Sequence, residues 1–245
     1  MTLGATGATA LRVLTQLRRD PRTIALIVGV PCLLETLLKE IFSGRPFVFQ
    51  HVGAPLLGLF PFVSMFVVTS VTMLRERTSG TLERLMTMPI RKFDLVAGYA
   101  GAFALLAVVQ AVVVSSLAFG ALGLHVAGSR LAVVGLAVAN ATLGMALGLL
   151  VSAFATTEFQ AVQFMPAVVL PQFFLSGLLV ARGQMAHWLV LISDVLPLTY
   201  AYDALAKVAG GGPYAARFVA DVSVTVGAAF VALALGAVTL RRRTP

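Results

Sequence analysis

Six apolar runs separated by short polar breaks dominate this chain: 23–41, 52–74, 95–124, 131–154, 159–179 and 222–240. A helix needs about 20 apolar residues to cross roughly 30 Å of hydrocarbon. The pattern therefore predicts an all-α integral membrane protein with six transmembrane helices. The first run is the least regular, because Pro31, Glu35 and Lys39 interrupt it. Residues 8–19 follow a different pattern. Leu11, Leu14 and Leu17 recur every third position, with Arg12, Gln16 and Arg19 between them. That spacing predicts a basic amphipathic helix lying in the membrane interface. Asp20-Pro21 ends it, since the residue before a proline is pushed out of helical geometry.

Residues 75–99 form a charged island between the second and third runs. Within it, 80–88 predicts a helix of about two turns. Gly80 opens it, Glu83 falls in its dipole-favoured first turn, and Pro89 stops it. Leu82, Leu85 and Met86 share one face at i, i+3, i+4 spacing. A helix this short is unstable alone and needs a surface to pack on. The island reads as a transmission element through which a soluble partner moves the membrane helices. Arg75, Glu76, Arg77, Thr81 and Glu83 supply its polar contacts.

Few polar residues interrupt the runs. Glu35 suits either a polar translocation surface or an outer-end side chain reaching water, with Lys39 four residues on as its ion-pair partner. Gln110 lies deep in the third run. Asn140, Gly144, Gly148 and Ser152 are spaced by four and contain a GxxxG, a stripe that fits close helix packing or a substrate path. Pro166 and Pro171 predict a kinked or broken fifth span. Residues 42–54, with Gly44, Pro46 and Gly53, read as a loop. The segment 185–208 contains two apolar pieces around Pro197, each too short to span. They predict an outer re-entrant or interfacial helix pair, with Trp188 and Tyr200 at headgroup level.

The chain has 59% hydrophobic and 11% charged residues, against about 25% charged in soluble domains. This leaves no room for a soluble domain of ordinary size. The net charge is +8 and the sequence pI about 10.6. The basic residues flank apolar runs, so lipid and not nucleic acid explains them. With six spans and both ends on one side, 12 of the 18 Lys and Arg fall on that side. The positive-inside bias then makes both termini cytoplasmic. The N-terminus lacks a small-residue cleavage site and is expected to be retained. Cys32 is the one cysteine, so no intrachain disulfide forms. His51, His125 and His187 are scattered, and neither HExxH nor CxxC occurs. The reading contains no catalytic residue and no metal site. The absence of a GxxxxGK[ST] loop leaves no phosphate loop for ATP.

Arg75-Glu76, then Gly80-Thr81-Leu82-Glu83, Leu85 and Pro89, resemble the RE...GTLE.L...P signature of type-2 ABC exporter permeases. A second block also resembles that family: Phe174-Leu175-Ser176-Gly177, Trp188, Pro197-Leu198-Thr199-Tyr200 and Asp203-Ala204-Leu205. The daunorubicin-resistance permease group looks most similar. Gly98-Tyr99 stands where the family often has Gly-Lys. The resemblance implies two copies of an ATP-binding subunit, with ATP and Mg held there and no cofactor on this chain. It also implies a second permease, the same chain or a paralogue, in a bacterial cytoplasmic membrane. The 80–88 helix and the N-terminal helix would couple to the ATPase, and the outer helix pair would cap the pathway. An apolar path suits an amphipathic drug, antibiotic or lipid. An ATP-independent secondary carrier and a non-transporting scaffold are the alternatives.

Overall fold

The computed structural model describes residues 3–87, 92–211 and 216–239. Among these the chain is helical, with no strand. The helices are α1 (Leu3–Arg18), α2 (Pro21–Ile41), α3 (Pro46–Thr78), α4 (Thr81–Thr87), α5 (Lys92–Ser116), α6 (Arg130–Val151), α7 (Glu158–Leu175), α8 (His187–Ser193), α9 (Pro197–Ala209) and α10 (Ala216–Thr239). A π turn, Leu117–Ala121, continues α5, and a 3-10 turn, Arg182–Gln184, precedes α8. Pro89 and the Arg241–Arg243 cluster lie outside the described residues.

Four helices are long and apolar enough to cross a membrane: α3, α5 with its π turn, α6 and α10. The pair α8 and α9, bent by 89°, makes a fifth if counted as one broken span. By length and composition, four to five of the expected six spans are found among the described residues. Arg22, Glu35, Lys39 and Glu40 interrupt α2, while α7 is 18 residues long and carries Glu158, three Gln and two Pro.

α3 and α6 form the middle of the bundle. α1, α2 and α5 pack on one side of them, and α7, α9 and α10 on the other. Glycines set the α3–α6 contact. A methyl on Gly144 would overlap the Phe62 carbonyl oxygen, and one on Gly148 would lie 2.5 Å from the Phe66 carbonyl oxygen. One turn earlier, a methyl on Gly58 would lie 2.7 Å from Asn140 Nδ2. The pairs advance by four along both helices in the same sense, so α3 and α6 run parallel with backbones in close approach. Large apolar side chains such as Leu33, Leu105, Phe230 and Val238 point outward, as lipid solvent requires.

α3 has 33 residues, about 50 Å at 1.5 Å per residue. It outreaches a bilayer core of about 30 Å. Its start corrects the expected 42–54 loop. Pro46 occupies the first turn, where its missing N–H costs nothing, and Gly53 is inside the helix. There the absent side chain admits Leu124, whose Cδ1 would lie 2.9 Å from an added Cβ. α7 is continuous with Pro166 and Pro171 inside it. Asp20 caps α2 by accepting from Thr23 N at 3.2 Å and Thr23 Oγ1 at 2.6 Å. These bonds hold its carboxyl below the ordinary range.

The register of α1 also differs from expectation. Thr9, Val13 and Leu17 are buried, while Leu11 is 67% exposed. A step of three drifts around a 3.6-residue helix, and a step of four holds one face better here. Arg12 therefore points inward. α1 crosses α5 at Gly98, where an added Cβ would lie 2.6 Å from Thr9 Cβ.

Candidate functional site

The residues of the charged island gather where α1, α3, α4, α5 and α7 meet at one end of the bundle. Arg75 and Glu76 are neighbours on the last turns of α3, so they point about 100° apart and engage different partners. Arg75 makes a two-pronged contact with Glu158 at the start of α7, Nε to Oε1 at 2.7 Å and Nη2 to Oε2 at 2.9 Å. Hydrogen bonding from Arg75 holds the Glu158 carboxyl below its ordinary range. Glu76 is buried and meets Arg12 of α1 at 3.3 Å. Arg12 also donates to the Tyr99 hydroxyl on α5, and its guanidinium carbon lies 5.6 Å from the ring centre. One arginine thus ties α1 to both α3 and α5. A crevice beside it is lined by Val13, Leu17, Asp20, Thr23, Thr72 and Arg75.

α3 joins α4 through Ser79 and Gly80. Gly80 has φ +72°, the left-handed region that glycine enters without a side-chain clash. Its carbonyl accepts the first bond of α4 from Arg84 N at 3.1 Å. Ser79 Oγ and Thr81 Oγ1 are 2.9 Å apart across the turn. Leu85 packs against the cluster containing Val13, Leu17 and Tyr99. Arg77 is partly buried, and its Nε has no hydrogen-bond partner among the described residues. The side chains of Leu82, Glu83 and Met86 lie outside the described residues.

The other predicted residues fall elsewhere. Asn140, Gly144 and Gly148 are at the α3–α6 contact inside the chain. Gln110 Nε2 donates to the Ile27 carbonyl at 2.6 Å. That carbonyl would ordinarily be bonded by residue 31, which is Pro31 and has no N–H. Glu35 is 0% exposed, so it does not reach water. It does not pair with Lys39 either, whose Nζ sits 5.1 Å over the Phe49 ring.

At the far end, Arg182 pairs with Asp194 and lies 3.8 Å from Asp203. Pro197 opens α9, and Tyr200 donates to the Asp194 carbonyl at 2.6 Å. Trp188 is 63% exposed. Gly177 has φ +102°, and an added Cβ there would lie 3.2 Å from the Tyr202 ring. Lys207 pairs with the buried Asp221, tying α9 to α10. The sequence reading missed the partners Arg12, Tyr99 and Glu158. Glu158 had a usable signal, an acid expected on the same face as Arg75. The inward turn of Arg12 had none.

Residues 5–209 match the ABC-2 type transporter family. With most of its length matched, the chain belongs to that family. It is 29% identical over 173 residues to ABC transporter G family member 20 of Dictyostelium discoideum, covering 70% of this chain and 24% of that protein. It is 26% identical over 148 residues to the probable multidrug ABC transporter permease YbhR of Escherichia coli K12, covering 60% of this chain and 40% of that one. The matches therefore span less than half the length of either relative.

Proposed function

We propose that this chain is the membrane-spanning permease of an ATP-driven exporter in a bacterial cytoplasmic membrane. In this reading α2 and α7 also cross the bilayer, giving six spans with both termini cytoplasmic. α8 and α9 form the outer re-entrant pair. Two copies of a separate ATP-binding subunit carry ATP and Mg and dock on α1 and α4. A second permease, the same chain or a paralogue, completes the pathway. The cargo is an amphipathic drug, antibiotic or lipid, and this chain performs no covalent step.

The observation that carries the reading is the mechanical continuity of the charged end. α4 hangs from α3 through two residues, and Arg12 clamps α1 to both α3 and α5. A push on α1 or α4 then tilts the long α3, and the Gly144 and Gly148 contacts carry that tilt to α6. The relatives' printed names, a multidrug permease and a G-family transporter, agree in class.

The test is a gentle detergent pull-down of the tagged chain from its native membrane, followed by an ATPase assay. Co-purification of an ATP-binding subunit, with ATP-driven transport lowered by Gly80→Ala or Glu83→Ala, is the expected result. Recovery of the chain without ATPase activity would favour the carrier or scaffold alternatives.

A further inference from the structure

The α2–α5 seam contains polar groups that the packed bundle leaves without partners. The inner stripe of α2 runs Ile27, Pro31, Glu35, all buried. Both carboxyl oxygens of Glu35 are buried without a hydrogen-bond partner among the described residues. Glu35 lies about 22 Å along α2 from Asp20 at 1.5 Å per residue, well within the apolar part of the bundle. Around it are apolar groups: Cys32 and Leu38 of α2 join a cluster with Ala111, Val114 and Ala118. Among the described residues no cation is hydrogen-bonded to it. α3 has no charged residue between His51 and Arg75, and α5 has none after Asp94.

α5 contributes one more unmet group. Gln110 Oε1 is buried and also lacks a partner among the described residues. The orientation of Gln110 is set by chemistry, because its amide nitrogen serves the Ile27 carbonyl that Pro31 leaves open. What Gln110 offers the seam is therefore an acceptor oxygen. Glu35, when ionised, adds acceptor oxygens. In that form the unmet groups are acceptors alone. Ile27 and Glu35 are eight residues apart, about 12 Å along the helix, so these groups are strung out along a path.

Both walls of the seam are irregular. Pro31 interrupts the hydrogen bonds of α2, and the π turn Leu117–Ala121 replaces the last α-helical turn of α5. Such breaks let a helix shift locally. A buried acceptor without a donor costs about 1–3 kcal/mol, and more when charged. The seam loses that cost in any state that brings donors to it.

We propose that the α2–α5 seam opens during the transport cycle as a path for amphipathic molecules with a protonated amine head, and that Glu35 pairs with that head. An ammonium brings three donors and the missing charge, and its apolar tail suits the aliphatic walls. This rests on the export reading above and adds a substrate class to it.

The experiment uses the permease reconstituted in liposomes with its ATP-binding partner. The probes are a fluorescent alkyl primary amine and its neutral N-acetylated twin. We expect the wild type to move the amine with ATP. Glu35→Gln, close in shape, should lower the ratio of amine to twin transport at least tenfold, and Glu35→Asp should restore part of it. An unchanged ratio overturns this inference and leaves the export reading standing. Wild-type liposomes that move neither probe with ATP overturn this inference, and failure to recover any ATP-binding partner for the reconstitution overturns the export reading as well. A second measurement is independent of any change at Glu35. Val114→Cys, buried beside Cys32 and Leu38 of α2, in a Cys32→Ala background is treated with a membrane-impermeant cationic thiol reagent, with the exposed loop position Ser129→Cys as comparator. Labelling at position 114 should rise at least fivefold in one nucleotide state. Protection in every state overturns the opening of the seam.

Discussion

Substituting Gly144 tests whether α3 and α6 move as one body. An alanine there places a methyl on the Phe62 carbonyl oxygen, with the Phe62 carbonyl carbon at 2.8 Å. These are backbone atoms that no rotamer change can remove, so the helices must part by several tenths of an ångström. Overpacking of this kind costs about 1–3 kcal/mol. Alanine recovers at most about 1 kcal/mol through helix propensity. The net loss of up to about 3 kcal/mol lowers Tm by as much as roughly 6–12 °C for a chain of this length. Gly135 is the internal control. It lies on the same helix with nothing within 4 Å of an added Cβ, so Gly135→Ala should leave Tm unchanged or raise it by roughly 2–4 °C. The assay is thermal unfolding in detergent with a thiol-reactive fluorogenic dye, which reports the partly buried Cys32. Equal shifts of the same sign at both positions would refute the close-contact account, since the substitution is the same and only the neighbour differs.

Three further expectations follow from the charged end. Arg12→Met leaves Glu76 buried without its cation and should cost about 1–3 kcal/mol; a double-mutant cycle with Glu76→Gln that gives no coupling would show that the pair does not hold α1. The Arg75–Glu158 contact is half exposed on both sides, so Glu158→Gln should change stability by less than about 1 kcal/mol. The folded carboxyl titrates below its ordinary 4.5, so the contact's contribution is present above that value and fades as pH falls through the lowered one. Wild type and Glu158→Gln should therefore converge in Tm under acid, and a difference that grows there would reverse the assignment. Gly80→Ala strains a left-handed backbone by about 1–2 kcal/mol with nothing to collide with. It should lower transport per ATP hydrolysed, with Tm lower by roughly 2–8 °C, and unchanged coupling would remove the turn from the mechanism.

Hydropathy alone determined that the chain is helical and belongs in lipid, because each crossing helix must satisfy its own backbone hydrogen bonds along a continuous apolar run. The island 75–99, the Gly80 turn and the Gly144/Gly148 stripe were also legible, each being a local departure from an apolar background. Several matters were decided only by tertiary structure. Neighbouring Arg75 and Glu76 reach different helices, and α1 turns Arg12 inward and Leu11 outward, because packing on Gly98 and Tyr99 sets the register. Gln110 proved to be the partner of a carbonyl that Pro31 had left open 83 residues away. Glu35 turned away from Lys39, though the i, i+4 spacing allowed their pairing. Sequence spacing specifies which side chains can meet along one helix. Which face a helix presents to its neighbours depends on long-range contacts, and those exist only once the bundle is assembled.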